Sequence, residues 1–99
     1  MNLTEFKKSL EQLNPPANLP VHLKALWIDG KGDWNKAHHL IDSLDDRASC
    51  RVHAYLHRKE GDLSNAQYWY RRANATMPDQ SLSEEWENIS SQFLKEAGL

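Results

Sequence analysis

Gly32-Asp33-Trp34-Asn35-Lys36-Ala37 recurs 29 positions later as Gly61-Asp62-Leu63-Ser64-Asn65-Ala66. A glycine at the first place admits the left-handed backbone that closes a helix. The aspartate beside it can accept from the free amides of the next helix's first turn. The stretch therefore predicts helix, tight turn, helix, and predicts it twice. The correspondence runs outward from both turns. Ala25 falls on Ala54 and Leu26 on Tyr55 ahead of them, and Ile41 falls on Tyr70 and Leu44 on Ala73 behind them. The small Ala37 and Ala66 let each pair of helix backbones approach closely.

The flanking segments extend the same pattern. Leu3, Phe6, Leu10 and Leu13 recur at three and four residues behind Asn2 and Glu5, which are spaced as a capping box. Asn14-Pro15-Pro16 then ends that helix. Pro20 opens a second helix to about Asp29, closed by Gly30 and Gly32. Asp33 caps a third, with Trp34, Ala37, Leu40, Ile41 and Leu44 as its apolar stripe. Asp45-Asp46 supplies acid ahead of a fourth, from about Arg47 to Lys59. A fifth carries Leu63, Ala66, Tyr70 and Ala73 up to Met77-Pro78. Ser81 with Glu84 opens a last one, striped by Leu82, Trp86, Ile89, Phe93 and Ala97. No segment alternates apolar and polar residues as a strand would. The expectation is an all-α domain of about six helices in antiparallel hairpins. Residues 1–14 form an N-terminal cap, 19–46 and 47–78 two repeats, and 80–97 a C-terminal cap. Two repeats are fewer than a stacked array needs, so the outer helices must cover its ends.

Composition narrows the function classes. The 99 residues amount to one domain, and a net charge of −2 excludes a globally basic nucleic-acid binder. Cys50 is the only cysteine, so no internal disulfide framework exists and a reducing compartment is expected. The start, Met1-Asn2-Leu3-Thr4-Glu5-Phe6, has neither the basic nor the apolar region of a secretory leader. No apolar run approaches the roughly 18 residues that span a bilayer. A cytoplasmic protein without membrane contact is the expectation.

Ala54, Gly61, Asp62, Ala66, Tyr70, Ala73 and Pro78 resemble the signature of the tetratricopeptide repeat. Ala25, Gly32, Asp33, Trp34 and Ala37 keep part of it. The likeness covers residues 19–78, at a spacing of 29 residues against about 34 for the family. It implies a right-handed array of hairpins whose first helices line a groove for a peptide. The run from His53 to Asp62, with Asn65-Ala66 and Tyr68-Trp69-Tyr70-Arg71-Arg72, also resembles small bacterial proteins of no assigned function.

Two constellations carry chemistry. The first is basic. Residues 51–72 hold Arg51, Arg58, Lys59, Arg71 and Arg72 against only Glu60 and Asp62, while the remainder has seven basic and twelve acidic residues. By position in the repeat family, Ala48, Arg51, Tyr55, Arg58 and Lys59 face the groove, with Leu19, His22, Leu26 and Asp29 from the first unit. Guanidinium forks beside a flat tyrosine suit a carboxylate. The expected function is a non-enzymatic interaction module. It would hold an acidic or C-terminal peptide segment of a partner protein on Arg51, Tyr55, Arg58 and Lys59, with Trp69, Arg71 and Arg72 as additions. Reversal of Arg51 and Arg58 to Glu is expected to abolish capture without unfolding. A second copy of the chain is another candidate occupant of the groove.

The second constellation is His53 and His57, four apart and so on one helix face. That spacing suits two ligands of zinc or another transition metal. The alternative reading is therefore a metal- or small-molecule-binding protein with its site at this pair. Further ligands would have to come from His38-His39, His22, Glu60 or Asp62 by tertiary convergence, and the competing reading is a pair of hydrogen-bonded core histidines. Trp27, Trp34 and Trp86 lie on apolar faces and are expected in the core. Cys50 has no catalytic context, and Gly30-Lys31-Gly32 is no phosphate loop, so no catalytic residue is expected.

Overall fold

The computed structural model describes residues 1–99 and contains six helices and no strand. They are α1 (Leu3–Ser9), α2 (Val21–Gly30), α3 (Trp34–Ile41), α4 (Arg47–Glu60), α5 (Leu63–Arg72) and α6 (Leu82–Ala97). Five of them begin behind a short polar side chain that accepts from the first turn. Asn2 takes Glu5 N at 2.8 Å, Asp33 takes Lys36 N at 3.0 Å, Asp46 takes Ser49 N at 3.1 Å, Asp62 takes Asn65 N at 3.3 Å and Ser81 takes Glu84 N at 3.1 Å. Each such cap is worth about 1 kcal/mol. α2 starts behind Pro20, which offers no side-chain cap.

The two Gly-Asp turns share one geometry. Gly32 and Gly61 have φ of 94° and 88°, in the left-handed region. Asp33 N then reaches Ile28 O at 3.2 Å, and 29 residues on Asp62 N reaches His57 O at 3.0 Å. These turns fold α3 back on α2 and α5 back on α4, giving the two closest helix pairs in the molecule.

α6 lies across both pairs. Phe6, Leu23, Leu26, Trp27, Ile28, Ile41, Val52, Leu56, Trp86, Ile89, Phe93 and Leu94 belong to one buried cluster, and Ala54, Ala66 and Tyr70 form a smaller one between α4 and α5. Burying a leucine such as Leu26 contributes roughly 1.5–3 kcal/mol. Trp86 of α6 stacks on Phe6 of α1, with centroids 5.7 Å apart, and donates Nε1–H to Leu26 O at 3.0 Å. The radius of gyration is 12.4 Å. No helix is long and apolar enough to cross a membrane.

α1 is shorter than its spacing predicts. It ends at Ser9, whose hydroxyl bonds back to Phe6 O at 2.6 Å and accepts from Trp27 Nε1 at 3.0 Å. The ammonium of Lys31 collects the carbonyls of Leu10 and Gln12, at 2.7 and 2.9 Å. Leu13, predicted on the stripe, is 93% exposed.

Candidate metal centre

Three neighbouring helices each aim a pair of side chains, four residues apart, at one spot. α3 supplies Trp34 and His38, α4 supplies His53 and His57, and α5 supplies Asn65 and Trp69. The Asp33 cap fixes the start of α3, and Trp34 Nε1–H donates to Leu56 O at 2.8 Å, which pins that start to α4. His38 follows one turn later and stacks on Trp34, with centroids 4.9 Å apart and rings within 6° of parallel. On α4 the His53 and His57 rings lie 4.7 Å apart. His38 sits over both, 4.8 Å from His53 and 5.1 Å from His57.

The nitrogens converge with the rings. His38 Nε2 and His53 Nε2 are 3.1 Å apart, and one ring nitrogen from each of the three histidines lies within 4.8 Å of the other two. Nitrogens held at 2.0–2.1 Å by a tetrahedral zinc stand about 3.3 Å from one another, so little movement brings this set to a common ion. His57 is oriented from behind: its Nδ1–H donates to Glu60 Oε1 at 2.7 Å. That leaves Nε2 as the acceptor, which Asn65 Nδ2 approaches at 3.3 Å. A carboxylate on the far nitrogen is the arrangement that steadies a ligating imidazole and strengthens it as a base.

The environment favours the neutral form of two of these rings, His38 and His53. Burial, and then the nearby His57 and His38, pull His53 down to about 4. Burial and His57 likewise lower His38. Neutral imidazole is the form that binds metal. His53 is 3% exposed and its Nδ1 has no hydrogen-bond partner, an arrangement that disfavours the fold by about 1–3 kcal/mol. Trp69 covers the other face of His53, with rings 3.8 Å apart, and Arg72 lies over Trp69 at 5.0 Å.

A donor set of imidazoles without thiolate suits zinc, cobalt, nickel or copper(II), and does not suit calcium or magnesium, which take oxygen. A second group, His57 with Glu60 and Asp62, shares a histidine with the first. Its Glu60 is bound to His57 and its Asp62 caps α5, so both acids already have local roles.

The chain matches no protein-family model, no curated protein and no solved structure. What the site can do therefore rests on its own geometry.

The basic face sits elsewhere and is engaged within the chain. Glu85 of α6, fully buried, accepts from Arg51 Nη1 at 2.6 Å, Arg58 Nη1 at 2.7 Å and the Tyr70 hydroxyl at 2.5 Å. Arg58 also donates to the carbonyl of Gln80. Lys59 pairs with Asp29 Oδ1 at 2.9 Å. Tyr55 is buried, and burial followed by Asp29 and Glu85 raises its hydroxyl above the usual tyrosine range. The acid that Arg51 and Arg58 clamp is thus the chain's own Glu85, and α6 occupies the face where a peptide was expected. Of the remaining basic and aromatic candidates, Trp69 belongs to the histidine cluster, Arg71 is exposed, and Arg72 covers Trp69 and Tyr68. Cys50 is buried, and burial raises its thiol, which removes thiolate reactivity. Trp27 and Trp86 are core, whereas Trp34 is half-buried against the histidines.

Of the further ligands that the sequence offered to His53 and His57, namely His38-His39, His22, Glu60 and Asp62, it is His38 that joins them both, and its spacing alone did not single it out. The signal was present: His38 stands four residues after Trp34 and three before Ile41, at an apolar-stripe position. A polar residue on a buried stripe needs a partner.

Proposed function

We propose that this chain is a helical transition-metal-binding protein whose site is built from His38, His53 and His57, with zinc the first candidate. What supports it is the meeting of three imidazoles from two helices within 4.8 Å, with Glu60 behind His57. Structural histidines are ordinarily satisfied by hydroxyls, carbonyls or water. Here His38 and His53 face each other instead, and Nδ1 of His53 has no partner. An ion between them replaces a nitrogen–nitrogen contact with two metal–nitrogen bonds.

The test is metal analysis of protein purified without a histidine tag, followed by titration of the metal-free chain with Zn²⁺ in competition with a chromophoric chelator. One zinc per chain is expected, with a rise in melting temperature on binding. Both are expected to vanish in His53→Ala/His57→Ala. A wild-type chain that takes up no zinc, cobalt, nickel or copper(II) at micromolar concentration overturns the proposal. Trp34 and Trp69 stack on His38 and His53, so tryptophan fluorescence gives an independent signal of binding.

A further inference from the structure

Given the three-histidine site, on which this step rests, we infer that Asp42 is the fourth protein ligand and closes the coordination sphere from the end of α3. Asp42 follows His38 by four residues, and its φ of −65° and ψ of −27° continue the helical path past Ile41. The two side chains therefore rise from the same helix face with Cβ atoms about 5–6 Å apart. A metal held by Nε2 of His38 falls within reach of a carboxylate on that face.

The other candidates have prior engagements. Glu60 accepts from His57 Nδ1 at 2.7 Å, and using it as a ligand would release the histidine that it orients. Asp62 accepts from Asn65 N and caps α5. Asp42 is exposed and makes no hydrogen bond or ion pair within the chain, so nothing has to break for it to turn inward.

Two further considerations favour it. A divalent ion on three neutral imidazoles leaves two positive charges in a half-buried site near Arg72, and one carboxylate halves that excess. An acid at the C-terminal end of a helix also opposes the helix dipole, so local structure gives Asp42 no reason to be there. Four ligands, His₃Asp, complete the tetrahedron that zinc prefers.

The experiment compares Zn²⁺ affinity, by chelator competition, for the wild type, Asp42→Asn and Asp45→Asn, with the melting temperature of each metal-free chain alongside. Asp42→Asn is expected to bind at least about tenfold more weakly, a loss of the size that supporting groups of metal sites produce or greater. Its metal-free melting temperature is expected to be unchanged or raised, because an acid leaves the helix C-terminus. Asp45→Asn is expected to bind as the wild type does. The visible spectrum of the cobalt-loaded chain should change intensity in Asp42→Asn alone. Equal affinity and equal cobalt spectra in wild type and Asp42→Asn would overturn the inference and leave the three-histidine site standing. Failure of the wild type itself to bind would overturn both.

Discussion

His38 Nε2 and His53 Nε2 meet at 3.1 Å across the α3–α4 interface, although neither helix alone carries more than part of the site. At most one hydrogen can lie between them. His53 is buried and neutral, so whichever tautomer it adopts, one of its nitrogens is left without a partner. A pair held in this way contributes little to the fold and is well arranged to receive a cation. Replacement of His53 by leucine is expected to abolish zinc binding while shifting metal-free stability by no more than about 1 kcal/mol, because the unpartnered nitrogen leaves together with the Trp69 stacking. Urea unfolding with and without metal measures both. A loss several times larger would mark His53 as a structural residue.

Asn65 approaches His57 Nε2 at 3.3 Å, the nitrogen that the Glu60 contact leaves available. The amide therefore competes with any ion for that lone pair. Asn65→Ala should weaken the metal-free fold by about 0.5–1.5 kcal/mol and strengthen zinc binding by roughly two- to tenfold, the same free energy with opposite sign. Titration of both proteins with zinc checks this, and weaker binding in the variant would make Asn65 part of the site's support.

Glu60 acts on the other side of the same ring. Glu60→Gln keeps the size of the side chain but removes the carboxylate that holds His57 Nδ1, and zinc binding should fall by about 10- to 100-fold. Since Glu60 is exposed at the end of α4, the metal-free melting temperature should move little. A parallel collapse of stability would show that the residue serves the helix end.

Helix order, the two Gly-Asp turns and the caps at Asn2, Asp33, Asp46, Asp62 and Ser81 were legible because each depends on neighbours within a turn. Leu13 was misplaced because α1 stops at Ser9 and the chain goes on in i→i+3 turns, and what satisfies the carbonyls left free at Leu10 and Gln12 is remote, the ammonium of Lys31. The roles of the polar residues depended on contacts across helices. His38, Asp29 and Glu85 all occupy apolar-stripe positions, Glu85 three residues after Leu82 and four before Ile89. Such positions announce that a partner exists without naming it. Arg51 and Arg58 were expected to hold a partner's carboxylate, whereas the carboxylate they hold within the chain, Glu85, lies 27 residues beyond Arg58 and so outside the reach of a local pattern.

His22 gives the fold a pH dependence away from the His38–His53–His57 cluster. It packs edge-on against Phe93 at 4.7 Å, and burial lowers its pKa while Asp46 and Glu96 partly restore it. The unfolded chain therefore takes up this proton first, near pH 6.5. Above that value His22 is neutral in both states and adds no slope. Stability falls as pH drops through 6.5 towards the lower folded pKa, and the loss is constant below it. The stability difference between wild type and His22→Gln should shift against the wild type between pH 7.5 and 5. A difference independent of pH would refute this.

Glu85 is a fully buried acid whose removal has a definite outcome. Both of its oxygens are engaged, Oε2 by Arg51 and Tyr70 and Oε1 by Arg58, and the arginine side chains are only 17% exposed. Glu85→Ala leaves two guanidinium groups facing a cavity, and breaking a buried pair from one side costs about 3–5 kcal/mol. Charge reversal at Arg51 and Arg58 is worse, because it surrounds Glu85 with two further carboxylates. That double variant should fail to fold at neutral pH, against the expectation that it would stay folded. Replacing the whole cluster is a different matter. Arg51→Met/Arg58→Leu/Glu85→Leu removes the charges together and should recover most of the stability, since apolar substitutes for buried ion clusters are often neutral or stabilising. Far-ultraviolet circular dichroism and thermal melts of the three proteins separate these cases. A folded double reversal would show that α6 leaves the α4 face at little cost, and would return the arginines to the surface as a clamp for an acidic peptide.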